Sequence, residues 1–423
     1  MSTSDQEQGR DRRKVTVVGA GIVGLCCART LQRRGCSVTV IDQGEPGRGT
    51  SYGNAGIISA GSVLPEGKSG LWKRVPSMLL DPLGPLTIRP GYLAQLTPWM
   101  LRFMANTTPR RVEQISQALA TIVLPGLQHY NELLDDVPRD QVPIRQQGCL
   151  YVYPTARDVV AAAADNAARQ RLGVALEILG PDEIRQLVPG ISPDVAGGAL
   201  ATQSAHATSP LALSQLLAAR IETDGGTFMR AKVSGFAVGS AGPTQVHTDQ
   251  GDVPIEDLVI AAGAFSKPLA KVLGNTVPLD TERGYHMMLP TPEVEVRVPM
   301  LISSLGFGIT PMNDGLRLAG TVEFGGLTAP PNYARADALL TKAKRLFPDL
   351  KDSGAERWMG HRPSMPDSLP VISRSSRFPH VFFAFGHGHL GLSLGAVTGR
   401  LIADLVQDRA AGIDTTPFRA DRF

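Results

Sequence analysis

Lys14-Val15-Thr16-Val17-Val18-Gly19-Ala20-Gly21-Ile22-Val23-Gly24 is the stretch whose reading decides the fold. The apolar run Lys14 to Val18 has strand character, and Gly19 to Gly24 satisfies G-x-G-x-x-G. A helical run follows from Leu25 to Arg34, Gly35 can stop it, and a second apolar strand, Ser37 to Ile41, ends on Asp42. Strand, glycine turn, helix and terminal acid together make the dinucleotide fingerprint in its required context. Gly19 allows the tight turn, Gly21 lets a pyrophosphate approach the backbone, and Gly24 lets helix and strand pack closely. The helix N-terminus offers amide donors and a partial positive charge to phosphates. Asp42 can accept hydrogen bonds from ribose hydroxyls, and Ala20, Ile22, Val23 and Gln43 are expected along the same edge.

At 423 residues the chain is long for one domain, so two are expected. The 42 basic and 39 acidic residues nearly cancel, to +3, which leaves no electrostatic footprint for nucleic acid. No apolar run approaches the length of a bilayer span. The polar segment Met1 to Arg13 reads as a disordered tail. Arg12-Arg13 superficially suggests an export signal, but the apolar residues after it are the first strand, so that reading is rejected. Cys26, Cys27, Cys36 and Cys149 show no metal-ligand spacing and no disulfide framework, and read as reduced, buried thiols of a cytoplasmic protein.

Beyond the opening unit, prolines punctuate Pro65 to Pro98, which predicts short helices and loops. Thr97-Pro98 reads as a helix start. Glu113 to Leu134 reads as an amphipathic helical stretch that Pro125 should kink or break. Gly148 to Tyr153 predicts a strand, Ala156 to Leu172 a helix, and Pro181 to Leu187 a short helix. Gly198 to Leu200 is strand-like, and Ser209-Pro210 starts a helix through Leu217. Thr227 to Val238 and Thr244 to His247 alternate as strands. Glu256 to Ala264 reads as a buried parallel strand running into a small-residue turn, returning to the nucleotide domain. Thr276–Leu289, Glu293–Ile302 and Phe307–Thr321 predict strands of a second sheet. Ala336 to Phe347 reads as a helix, Glu356 to Pro370 as a loop, Val381 to Phe385 as a strand, and Leu392 to Gln407 as a helix.

Four blocks carry a resemblance to a known family. They are Gly19 to Gly24 with Asp42, Thr50-Ser51-Tyr52-Gly53-Asn54-Ala55-Gly56, Gly360-His361-Arg362-Pro363-Ser364-Met365-Pro366-Asp367-Ser368-Leu369-Pro370, and Gly386-His387-Gly388-His389-Leu390-Gly391. In this order they resemble the FAD-dependent D-amino-acid oxidase and dehydrogenase superfamily, bacterial D-amino-acid and D-hydroxyproline dehydrogenases in particular. The resemblance implies an α/β protein: a Rossmann-like FAD-binding domain (14–60, 206–270 and 361–423) and a discontinuous α+β substrate domain on a large mixed sheet (61–205 and 271–360). The activity it implies is oxidation of a D-amino or imino acid to an imine, with hydride passing from Cα to flavin N5.

The same resemblance assigns the site. Arg362 would clamp the substrate carboxylate, which suits a planar, bidentate guanidinium; an ion pair within the fold is the alternative. Tyr285 would add a phenolic hydrogen bond, or else pack as a strand aromatic. His286 would face the opposite way on a regular strand. Gly386, Gly388, Gly391 and Leu392 would turn backbone amides and a helix dipole toward the flavin pyrimidine, with His389 in contact nearby and His387 a loop histidine. Thr50, Ser51, Asn54, Ala55, Gly56 and Ile57 would run along the isoalloxazine ring. Val233 would hold the adenine, and Ala262 and Gly263 would close over the pyrophosphate. His206 reads as a satisfied loop histidine that could border the pocket. No metal site is expected. No general base stands out, and a neutral amine would need none.

The alternatives share part of the pattern. A glycine or sarcosine-type oxidase of N-substituted glycines would use the same fold and clamp. An NAD-dependent dehydrogenase would share only the first block, and a flavin-binding subunit without turnover would keep the cofactor alone. The electron acceptor, quinone or oxygen, is open. The run Leu71 to Met104, with Trp72, Leu79, Leu80, Trp99, Met100, Leu101, Phe103 and Met104, is a candidate for peripheral contact with the inner face of a membrane.

Overall fold

The computed structural model describes residues 12–67, 83–84 and 86–423. Most of the N-terminal tail, Trp72, Pro76, Leu79, Leu80, Pro82 and Pro85 lie outside the described residues. The opening unit folds as its pattern predicts: strand Lys14–Val18, helix Ile22–Arg33, strand Ser37–Asp42. These strands sit inside a six-stranded sheet ordered Thr227–Arg230, Ser37–Asp42, Lys14–Val18, Asp257–Ile260, Val381–Phe385, Val371–Arg374. Every neighbour pair is parallel except the last. Val15, Val17 and Val259 on one face join one core, and Val18, Leu258 and Ile260 join another. Burial on both faces is what makes these strands apolar throughout.

Helix Gly391–Val406 closes one face by packing on Ile22–Arg33. Two glycines let it come close. A Cβ on Gly399 would stand 2.5 Å from the Cys26 carbonyl oxygen, and one on Gly395 2.7 Å from the Tyr130 hydroxyl. Cys26 and Cys27 fill this seam as small apolar residues, and all four cysteines are buried free thiols.

The second sheet has eight strands in line: Glu356–Ser364, Asp280–Leu289, Gly315–Phe324, Phe307–Met312, Met300–Ile302, Cys149–Tyr153, Gly197–Ala201 and Leu176–Leu179. Leu86–Ile88 adds a ninth, parallel to Val322–Phe324. One face packs Tyr285, Met287 and Leu289 against Ala336 and Leu339 of helix Ala334–Leu346. A small three-stranded sheet pairs Ile57–Ile58, Ala205–Ala207 and Ile144–Arg145.

Several expectations are corrected. Glu356 to Ser364 is a strand, not a loop, and pairs with Asp280–Leu289 from Asp280↔Ser364 to Met288↔Glu356. It is an edge strand, and an edge tolerates Pro363. The expected domain limits at 205/206 and 360/361 therefore fall inside strands. Thr227 to Val238 is two strands, Thr227–Arg230 in the nucleotide sheet and Val233–Gly239 in an antiparallel ribbon. Pro98 lies inside helix Leu93–Ala105 rather than at its start, where Thr97 Oγ1 donates to the Leu93 carbonyl at 2.8 Å. Pro125 does separate two helices, Pro109–Val123 and Gly126–Leu133.

Candidate active site

The cofactor end of the site is built from backbone. A Cβ on Gly24 would lie 1.9 Å from the Gly19 carbonyl oxygen, and one on Gly19 2.4 Å from the Ala261 carbonyl oxygen. Gly19 also has φ +113, a conformation that suits glycine. These contacts bring Ala261 to Gly263 against the glycine turn. Asp42 is fixed at the strand end by the amides of Ala20, 2.7 Å, and Gly44, 2.8 Å. The Ala231 amide donates to the Asp42 carbonyl oxygen at 2.8 Å, and Val233 follows two residues after Ala231. Gln43 beside it is exposed. Ser51 Oγ accepts the Ile22 amide at 2.9 Å, tying the second glycine loop to the first turn of the helix.

That second loop is held by the large sheet. Asn54 Oδ1 accepts the Gly56 amide at 2.8 Å. Arg317 Nη1 donates to the carbonyls of Tyr52, 2.9 Å, and Asn54, 2.7 Å. Burial pushes this guanidinium down to about 10. His286 Nδ1 contacts the Gly53 carbonyl at 3.1 Å, and its ring stacks on Trp358 at 5.0 Å. Trp358 leaves no room beside Gly53, where a Cβ would meet its ring at 1.9 Å. Thr50 Oγ1 donates to the His361 carbonyl at 2.9 Å.

Between loop and sheet lies a cavity of about 680 Å³. Asn54, Ala55 and Ile57 line one side, Leu390 and Ser393 another, and Leu86, Ile88, Trp99, Phe103 and Phe324 form an apolar wall. Its charged lining includes Arg362, Glu282, Glu66 and His389. Arg362 lies flat across Gly284, where a Cβ would stand 2.4 Å from its Cζ. Its Nη1 donates to the Thr321 carbonyl at 3.0 Å and its Nη2 to the Gly320 carbonyl at 3.4 Å. Those carbonyls are turned by a bulge: the register between the two strands shifts between Arg283 and Tyr285, and Thr321 has φ 58. A β-branched residue rarely adopts that conformation.

Tyr285 is placed elsewhere. Its hydroxyl donates to Glu323 Oε2 at 2.6 Å and accepts the Asn332 amide at 3.0 Å, and it is absent from the cavity lining. The alternation of the strand explains this. Glu282, Gly284 and His286 share the face of Arg362, while Arg283 and Tyr285 share the other. The face expected for Tyr285 belongs to its neighbours. His387 is buried, with Nε2 2.9 Å from Thr398 Oγ1, and burial lowers it to about 3. His389 instead opens on the cavity and pairs with Glu66. The Gly388 amide is already taken by the Pro363 carbonyl, 2.7 Å. His206 is buried on strand Ala205–Ala207 with Nδ1 unpartnered, and burial lowers it to about 4. Among the described residues no cluster of His, Cys, Asp and Glu could hold a metal ion.

Sequence reasoning did not single out Glu282 or Glu66. No signal in the sequence marks the first, an acid in the strand Asp280–Leu289, every residue of which is buried.

Comparison with known proteins decides the family. A family profile described as FAD dependent oxidoreductase matches residues 14–405. This chain is an FAD-dependent oxidoreductase of the DAO family. The oxidoreductase is 37% identical over 422 residues to a D-amino-acid oxidase of Bradyrhizobium diazoefficiens, covering 97% of this chain and 99% of that one. It is 29% identical over 420 residues to a D-amino acid dehydrogenase of Rhizobium rhizogenes, covering 97% and 100%. Its fold matches glycine oxidase from Geobacillus kaustophilus, with TM-score 0.72 and 22% identity over 97% of this chain and 99% of that one. The match to iminodiacetate oxidase from a Chelativorans species has TM-score 0.73 and 19% identity over 96% and 98%.

The oxidoreductase's residues fit FAD. The glycine turn leaves no space for side chains at Gly19 and Gly24, Gly21 caps the helix without a side chain that would bar a pyrophosphate, and the cavity runs along Asn54 to Ile57. No helix among the described residues is long and apolar enough to cross a membrane. Of the run expected to touch one, Trp99, Met100, Phe103 and Met104 line the cavity, and Leu101 is exposed.

Proposed function

We propose that the protein oxidises D-amino or imino acids to the corresponding imines. The observation that carries this reading is Arg362: a guanidinium held flat on Gly284 by two backbone carbonyls, facing a cavity that abuts the cofactor loop. Such a fork, oriented before the ligand arrives, suits a carboxylate. FAD, when bound, supplies the two-electron acceptor for the substrate Cα–H bond. Arg362 would anchor the carboxylate, and Arg317 and His286 keep the Tyr52–Asn54 backbone in place at the cavity. The glycine turn, Asp42, Ser51, Val233, Ala262 and Gly263 would hold the cofactor's nucleotide end. Gly386 to Leu392, with His389, would lie on the side of its ring.

The wall of Trp99, Phe103, Phe324, Leu86 and Ile88 favours an apolar side chain over glycine or sarcosine, because an apolar wall gains little from a substrate that buries no carbon against it. An anaerobic flavin-bleaching screen over D-amino acids, prolines and N-methylglycines tests the reading. Bleaching by apolar D-amino or imino acids is expected, and a flavin that none of them reduces would overturn it. Peroxide release against dye reduction then assigns oxygen or a quinone as acceptor. Quinone use would favour peripheral contact with the inner face of the membrane.

A further inference from the structure

We propose that Glu282 receives the substrate's α-ammonium group and takes its proton, with Glu66 and His389 behind it as the proton's way out. The proposal rests on the reading that this cavity binds an amino acid.

Glu282 and Arg362 are direct cross-strand partners. Their Cα atoms are therefore about 5 Å apart, and their side chains share one face. Among the described residues no direct ion pair joins them. Arg362 is tethered to the carbonyls of Gly320 and Thr321. Glu282 is held by Ser364, whose Oγ donates to Oε1 at 2.6 Å. Its other oxygen, Oε2, is buried with no N–H or hydroxyl donor, and the carboxyl of Glu66 is its hydrogen-bonding neighbour, although the residue lines the cavity and is only 2% exposed. Native folds seldom leave a buried acceptor unmatched, so this one asks for a ligand that donates. An α-amino acid carries a carboxylate and an ammonium on one carbon. A positive and a negative side chain from adjacent strands, kept apart by separate tethers, match that pair of charges.

Three charged groups face Glu282. They are Arg362 from the neighbouring strand, Glu66 from the segment after strand Ile57–Ile58, and His389 from the glycine loop. The Glu66 carboxyl stands near that of Glu282, and its ion pair with His389 holds it below the usual carboxylate range against the opposing effect of burial. The same pairing raises His389 despite burial. Burial first, then Glu66, pushes Glu282 up to about 7, with Ser364, Arg362 and His389 opposing. Two facing carboxyls favour a single shared proton, and Glu282 is the member that can take it and give it back near neutral pH.

The step balances. An N–H bond of the ammonium breaks, its electron pair stays on nitrogen, and an O–H bond forms at Glu282 Oε2. The amine is left neutral, with the lone pair that a C=N bond requires. Glu66, an ionised carboxylate, takes the proton in turn, and His389, protonated in its pair with Glu66, releases its own proton to water in the cavity and is recharged from Glu66.

The test compares holoenzyme of wild type, Glu282→Gln and Ser364→Ala. Perturbation of the flavin spectrum gives the Kd of an amino acid and of the same acid without its amine, and the flavin-reduction rate is followed against pH. Glu282→Gln is expected to weaken the amino acid by about tenfold or more while leaving the amine-free acid within about twofold. It should also remove an ionisation near pH 7 from the reduction rate, below which wild type slows. Ser364→Ala, which keeps the carboxyl but removes a donor that lowers it, should move that ionisation to higher pH, and it is decisive if Glu282→Gln fails to hold FAD. Unchanged affinity ratio and unchanged pH profile in both variants would overturn the proposal. Wild-type flavin that no amino acid reduces would instead overturn the reading of the cavity itself.

Discussion

The two large sheets make their halves of the site by opposite means. In the nucleotide sheet, function depends on side chains being missing: a Cβ at Gly19 or Gly24 would collide with backbone at 2.4 and 1.9 Å. In the second sheet, function depends on side chains being present and held: Arg362 by two carbonyls, Glu282 by Ser364, Arg317 across two carbonyls of the loop. The first half tolerates almost no change of shape at its glycines. The second is an arrangement of charges whose strands could carry other residues and still pair.

Gly24→Val should have the largest effect. The new side chain has no space against the Gly19 carbonyl oxygen, so the helix must move off the strand. The expected outcome is protein without flavin absorbance and without turnover. Retention of FAD would break the contrast between the halves. Arg362→Lys should come next, with a full complement of FAD and a kcat/KM lowered by roughly 10²-fold or more, because an ammonium cannot replace a tethered bidentate fork. Steady-state kinetics beside flavin content check both parts. Gly284→Ala should act between the two types. Its methyl would displace the Arg362 guanidinium, weakening the amino acid by roughly tenfold with FAD retained, as seen in kcat/KM on the purified holoenzyme.

The smallest effect is a pH dependence of stability. Burial lowers His387 to about 3 in the nucleotide half, and burial with Arg317 lowers His286 to about 3 in the other. The unfolded imidazoles titrate near ~6.5. Below that pH the unfolded chain binds more protons than the folded one. Stability is thus full above pH ~6.5 and falls as pH drops toward 4. Thermal unfolding from pH 7 to 5 should show a falling Tm, and His387→Gln should flatten the slope by removing one of these imidazoles.

The legibility of the two halves follows the same division. Close backbone packing leaves a contiguous trace, because the chain must spend neighbouring residues on glycine, and the Gly19 to Gly24 turn is legible for that reason. Arg362 is legible only through the surrounding block of a known family, and its strand reads as a loop because Pro363, Pro366 and Pro370 obscure the alternation. Glu282 stood in plain view between Thr281 and Arg283, yet nothing local says that its partner is Arg362, eighty residues on in the chain and directly opposite in the sheet.

The amino-acid order by itself determined the strand, glycine turn and helix of the dinucleotide fingerprint, since steric exclusion within a few residues is a local property. Only the folded chain decided which face each side chain of Asp280–Leu289 serves. A pleated strand alternates with period two, and the register and bulge that choose the face are set by pairing with distant strands. That pairing turned Tyr285 toward Glu323 and left Glu282 looking at Arg362's side of the cavity.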